Sequence, residues 1–256
     1  MILTVDIGNT NIVVGGYEQQ KPHCFITRMA TDHHREADQY ATELDGIFQL
    51  YGVPTSCIEG AIISSVVPGA TLTMQRALAH FTSSQPLLLA LEDAGSLVVD
   101  IEHPPELGMD LLASAIAVYQ SHPLPAIIID MGTATKLIAI DKAGVLRGVS
   151  ISPGLLISLE ALVGNASLLR SIALDAAPKA IGRNSSQSMQ SGVLLGTACM
   201  LDGMIDRMAE EMGDSVSVVA TGGASHMVLP YCRHTIKYSE TLVLDGLYKA
   251  YCARQK

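Results

Sequence analysis

Ala126-Ile127-Ile128-Ile129-Asp130-Met131-Gly132-Thr133-Ala134-Thr135 is an apolar run that ends abruptly in an Asp, a Gly and small hydroxyl residues. The run is β-branched and too short for a buried helix, which predicts a core strand. Gly132 lets the backbone turn tightly, and the hydroxyls and amides beyond it can face a phosphate. The same pattern occurs at Met1-Ile2-Leu3-Thr4-Val5-Asp6-Ile7-Gly8-Asn9-Thr10-Asn11. A second β-type stretch follows each copy, Ile12 to Tyr17 and Leu137 to Asp141. Two strand-Asp-x-Gly-turn-strand units, about half a chain apart, predict a duplicated fold whose facing loops clamp a nucleotide.

Composition narrows the alternatives. The chain has 256 residues, 48% hydrophobic and 16% charged, enough for a real core and unlike a disordered segment. A formal net charge of -9 disfavours a nucleic-acid partner, because no basic face offsets the acid. The apolar runs stop well short of the roughly 20 residues of a membrane span. Met1 leads straight into a strand with no basic segment before it, which argues against a secretory leader and for a cytoplasmic protein. Five scattered cysteines read as thiols in a reducing compartment, and His33-His34 lacks a partner at ligand spacing.

Along the first half the pattern predicts strands over Val13–Tyr17 and Cys24–Arg28, joined by a polar turn at Glu18 to Pro22. It also predicts helices over 35–51 and 71–81 and strands over 61–67 and 86–91. The order β-β-β-α-β-α-β describes one half of a mixed α/β layer protein. After Pro104-Pro105 a helix is predicted over 111–119, which puts Asp110 at its start either as an N-cap or as a catalytic carboxylate. The second half repeats the plan: strands 126–129, 135–141 and 144–150, a helix over 155–162, irregular chain over 170–184, and a long helix over 186–212. The small residues of that long helix, Gly192, Gly196 and Gly203 among them, predict close backbone packing. A strand from Val216 runs into Thr221-Gly222-Gly223, and a last helix covers 242–252. The expected division is 1–117, with the first phosphate loop, and 118–256, with the second phosphate loop, an adenosine loop and a dimer helix. A cleft is expected between the halves.

Three strand-end turns carry glycine and hydroxyl groups: Asp6 to Asn11, Asp130 to Thr135, and Thr221 to Ser225. They suit phosphate donors in both halves and an adenosine loop near the end; the Gly-Lys-Ser/Thr of a Walker loop is absent. With these stand Arg28, Ser64-Ser65-Val66-Val67-Pro68, Gly108-Met109-Asp110, Ser152-Pro153-Gly154, Ile181-Gly182-Arg183-Asn184, Met189-Gln190-Ser191-Gly192 and Leu244-Asp245-Gly246-Leu247. In this order and spacing the chain resembles the actin, Hsp70 and sugar-kinase superfamily, and more closely type III pantothenate kinase.

The resemblance implies two RNase H-like halves, each a mixed five-stranded sheet with flanking helices. It implies ATP-dependent phosphorylation of pantothenate to 4'-phosphopantothenate, the first step of coenzyme A biosynthesis, by a homodimer whose partner subunit completes the pantothenate pocket. By it, Asp110 is the general base, Asp6 holds Mg²⁺ directly or through water, and Gly8, Asn9, Thr10 and Asn11 cradle the phosphates. Gly132, Thr133 and Thr135 meet the γ-phosphate side, and Thr221, Gly222 and Gly223 flank the adenosine. Asp130 binds a monovalent cation, K⁺ or NH₄⁺. Ile101, Gly108, Met109, Asp110, Leu111 and Ser185 fall at the pantothenate site.

Several positions depart from the family pattern. Leu111 stands where an Arg is usual, Ile101 where a Tyr is, Lys136 where a Thr is, and Ser185 where another Thr is. Lys136 can supply a replacement cation, place its own ammonium in the monovalent-cation site, or point to solvent. Besides the pantothenate kinase, an impaired paralogue that keeps the fold and nucleotide site, or a kinase for another small hydroxyl substrate, stays open at this point.

Overall fold

The computed structural model describes residues 1–18, 21–175 and 177–255. Part of the polar turn expected at Glu18 to Pro22, and Ala176 of the irregular stretch, lie outside them. The contacts divide the chain into two units, Met1–Ser121 with Thr241–Lys256, and His122–Glu240.

In the first unit come β1 (Ile2–Ile7), β2 (Asn11–Glu18), β3 (Lys21–Ala30), α1 (Ala37–Leu50), β4 (Gly60–Ser65), α2 (Pro68–Leu78), β5 (Leu87–Leu88), β6 (Val98–Val99) and α3 (Met109–Ser121). Its sheet runs β3-β2-β1-β4-β5. β1 to β3 are antiparallel neighbours, and β1, β4 and β5 are parallel. The parallel pairs need crossovers, and the helical periodicity of α1 and α2 supplies them. Tyr40, Leu44 and Phe48 of α1 are fully buried on the β1–β4 face.

The second unit holds β7 (Ala126–Met131), β8 (Ala134–Ile140), β9 (Val145–Pro153), α4 (Leu155–Asn165), α5 (Ser185–Gln190), α6 (Gly196–Met212), β10 (Ser217–Thr221), α7 (Ser225–Val228) and β11 (Lys237–Tyr238). Its strands run β9-β8-β7-β10-β11, with β7 to β9 antiparallel and β7, β10 and β11 parallel. These five strands repeat the topology of the first sheet, so the duplication is realised in the fold, although the second sheet has six strands where the resemblance implies five. The expected strands 135–141 and 144–150 meet in a tight turn: Asp141 Oδ1 accepts from the Ala143 and Val145 N–H groups, each at 2.9 Å.

Three expectations need correction. The long helix of the second unit is broken by a turn of π-helix at Ser191–Leu195 between α5 and α6. Gly192, Gly196 and Gly203 face open space, so they do not mediate close packing. The last helix, α8 (Leu242–Arg254), packs on α3, β1 and β4 of the first unit instead of on the half that precedes it. A Cβ on Gly246 would overlap the Ala113 backbone of α3, so glycine alone permits that approach. Tyr17 of β2 donates to Asp245 Oδ1 at 2.7 Å and stacks on Tyr248 at 4.9 Å. Burial, then the Asp245 charge, pushes the Tyr17 phenol well above its ordinary value. Among the described residues no helix is long and apolar enough to cross a membrane.

Candidate active site

The predicted loops sit at the carboxyl ends of parallel strands, where open α/β sheets bind ligands. Every residue of β1 is buried except Asp6, which is half-buried near the strand's end. Gly8 N–H donates to the Asn11 carbonyl at 2.9 Å, closing the turn. Thr31 holds it from the side, donating from Oγ1 to the Gly8 carbonyl at 2.7 Å and from N–H to the Thr10 carbonyl at 3.0 Å. Asn9, Thr10 and Asn11 are thereby left exposed. Sequence reading missed Thr31, because a lone hydroxyl after a strand carries no distinctive signal.

Asp110 is the second residue of α3, so it is not the N-cap. The Gly108 carbonyl opens the helix by accepting from Leu111 and Leu112 N–H at 3.0 and 3.1 Å. The Asp110 Oδ1 accepts from the Leu111 N–H at 2.9 Å, which fixes the carboxylate over the first turn. A side chain at Gly108 would overlap that same oxygen. Val66 links this loop to the first one: its N–H donates to the Ile7 carbonyl at 3.1 Å, and its Cγ1 lies 3.6 Å from where a Gly108 Cβ would stand. Asp6 and Asp110 therefore serve the same end of the first sheet. Leu111 is 5% exposed and packs inward, while Ile101 and Met109 are half-buried.

The second unit repeats the turn. Gly132 N–H donates to the Ala134 carbonyl at 3.1 Å, and Gly154 N–H donates to the Thr133 carbonyl at 3.1 Å. The two threonines expected at the γ-phosphate differ in access. Thr133 is exposed, whereas Thr135 is 1% exposed and faces Met131 across the ladder. Asp130 pairs in register with Lys136, and Lys136 Nζ donates to Asp130 Oδ2 at 3.1 Å. With side chains 20% and 15% exposed, this is a partly buried ion pair, so Lys136 does not point to solvent. At the matching position of the first unit, uncharged Val13 lies across from Asp6.

The expected adenosine loop closes on the second phosphate loop. Gly222 has φ +92°, and a Cβ there would come within 2.5 Å of the Met131 carbonyl oxygen. Ala224 N–H donates to that carbonyl at 3.2 Å, and the buried Ser225 hydroxyl donates to the Thr221 carbonyl at 2.6 Å. Thr221 is itself buried and Gly223 is exposed, so this loop offers backbone more than side chain. Ser185, exposed at the first position of α5, follows the N-cap Asn184, whose Oδ1 accepts from Gln187 N–H at 2.9 Å.

Two buried hydroxyls, Ser64 Oγ and Thr135 Oγ1, have no hydrogen-bond partner among the described residues. Ser64 is in register with Asp6, and Thr135 adjoins the second loop. Unsatisfied groups cost about 1–3 kcal/mol each and concentrate where a structure keeps a function. Among the described residues no cluster of three or more His, Cys, Asp or Glu could hold a metal. A cavity of ≈ 660 Å³ lies elsewhere in the second unit, walled by Arg147, Met204, Arg207 and Met208, and none of the expected site residues lines it.

Comparison with known proteins bears on the fold and the family. The activator of the 2-hydroxyisocaproyl-CoA dehydratase from Clostridium difficile, solved with bound ADPNP, matches with a TM-score of 0.57 at 12% identity over 99% of this chain and 96% of that one. That likeness establishes the fold. The type III pantothenate kinase of Thermomicrobium roseum is 37% identical over 254 residues, covering 98% of this chain and 96% of that protein. The type III pantothenate kinase of Roseiflexus castenholzii is 38% identical over 252 residues, 98% of each. The family model for type III pantothenate kinase matches residues 2–207. From the duplicated sheets to the loops at their strand ends, the chain belongs to the type III pantothenate kinase family.

Proposed function

We propose that the chain transfers the γ-phosphoryl group of ATP to the primary hydroxyl of pantothenate, giving 4'-phosphopantothenate at the start of coenzyme A synthesis. The observation that carries this reading is the Asp110 carboxylate, fixed over the first turn of α3 in a chain that matches type III pantothenate kinases nearly end to end. Asp110 accepts the hydroxyl proton as the new O–P bond forms, and ADP departs with the electrons of the broken one. A single base suffices, because phosphoryl transfer is mostly positioning and charge neutralisation. Asn9, Thr10 and Asn11 offer exposed groups to phosphate, as do Gly132 and Thr133. The hydroxyl of Thr135 is covered and without a hydrogen-bond partner among the described residues, so Thr133 is the exposed hydroxyl of this loop. Mg²⁺ at Asp6 supplies charge neutralisation when ATP is bound. Thr221, Gly222 and Gly223 are assigned to adenosine, and Ile101, Gly108, Met109 and Ser185 to pantothenate. Leu111 offers the acceptor only an apolar wall.

Two copies pair in this reading. Its support is a set of exposed apolar side chains on the second unit, Ile151 of β9 and Leu156, Ile157 and Leu162 of α4, between 39% and 68% exposed.

The test is mass-spectrometric detection of phosphopantothenate from purified protein, ATP, Mg²⁺ and pantothenate. Product is expected. Its absence, at protein concentrations where another family member converts all the pantothenate, would overturn the reading.

A further inference from the structure

The family resemblance implies a monovalent cation on Asp130, and the structure puts the chain's own cation there. Asp130 and Lys136 are directly opposed across the β7–β8 ladder, and residues so placed share a face with neighbouring Cβ atoms. The three residues Gly132, Thr133 and Ala134 fix that register, since Met131 pairs with Thr135 on the next rung and the Gly132 N–H closes onto the Ala134 carbonyl. A lysine at position 136 has its ammonium delivered to the Asp130 carboxylate by hairpin geometry alone. The contact is 3.1 Å and both side chains are largely covered, which limits screening by salt.

We propose that the Lys136 ammonium takes the place of K⁺ or NH₄⁺ at Asp130, so that this protein works without a monovalent cation. The inference rests on the kinase reading for its consequence in turnover, but not for the occupancy of Asp130. An ammonium and K⁺ carry the same charge. A free ion arriving at Asp130 would have to displace a tethered one already bonded to the carboxylate, and would then sit beside it as a like charge. In the first unit, Val13 stands across from Asp6. There the residue at the matching ladder position carries no charge. The duplicated loops thus differ in charge at that position.

The test compares the full chain with Lys136→Thr in KCl, NH₄Cl and tetramethylammonium chloride at equal ionic strength, reading both thermal unfolding and phosphopantothenate formation. Wild-type protein is expected to melt within about 1 °C in all three salts and to turn over at rates within about twofold. Lys136→Thr is expected to melt lower in tetramethylammonium. It should recover by about 3 °C or more in K⁺ or NH₄⁺ and show about a tenfold rate dependence on those ions, as loss of a charge-assisted bond predicts. A K⁺-specific rise in either readout for wild type overturns the proposal. So does a folded Lys136→Thr indifferent to K⁺ in both. Should Lys136→Thr fail to fold, Lys136→Gln is judged by the same criteria. If no phosphopantothenate forms in any salt, the kinase reading falls, and the melting comparison still decides the occupancy of Asp130.

Discussion

Replacing Asp110 by Asn removes a proton acceptor and keeps an oxygen that can accept from the Leu111 N–H, the bond that fixes the side chain at 2.9 Å. The start of α3 should therefore survive. The expected outcome is a fall of roughly 10²–10⁴ in kcat with a Tm within about 1 °C of wild type. Stopped-flow or coupled turnover together with calorimetry reads both. An unchanged kcat would remove Asp110 from the reaction, and a collapsed Tm would make it a structural residue. Asp6 and Asp130 stand out in the sequence because each closes an apolar run, but the local pattern at Asp110 leaves an N-cap and a catalytic carboxylate both open, and the roles of all three come from the family resemblance. The difference in access between Thr133 and Thr135 was not visible, since it depends on which side of the ladder each faces after the turn. For the same reason Lys136 stayed ambiguous until the pairing with Asp130 was fixed.

At the scale of elements, α8 against α3 is the contact most sensitive to one atom. Gly246→Ala would drive a methyl into the Ala113 backbone, and neither helix can yield without moving its other contacts. Overpacking of this kind costs about 1–3 kcal/mol, so chemical denaturation should show a loss at the upper end of that range. Stability unchanged within error would mean that the helices separate easily. The strands and most helices were legible in period and turn residues, as the Asp141–Gly144 hairpin illustrates. The π-turn at Ser191–Leu195 was not, because nothing in that stretch breaks helical propensity as a proline would. The glycines of the π-turn and α6 misled for a related reason: a small residue permits close approach, but only the partner's position decides whether approach happens. The allegiance of α8 was hidden too, being a matter of what lies far away in sequence.

For the whole molecule, pairing of two copies through the exposed apolar side chains of α4 and β9 predicts a sedimentation mass twice that of the chain. Ile157→Glu, a charge at one of these exposed apolar positions, should return it to the monomer mass with the far-ultraviolet circular dichroism unchanged. A wild-type protein that sediments as a monomer would refute the pairing. The return of α8 to the first unit has a different consequence, one of timing. Ribosomes deliver β1 through α3 first, then all of His122–Glu240, and only afterwards Leu242 onward. At about 5–20 residues per second the gap is on the order of ten seconds. Throughout it, the stretch of α3 around Ala113 that α8 will cover lies bare, a sticky face on a nascent chain. The later-made unit can close by itself while the earlier one waits, so the half translated first is the half that matures last.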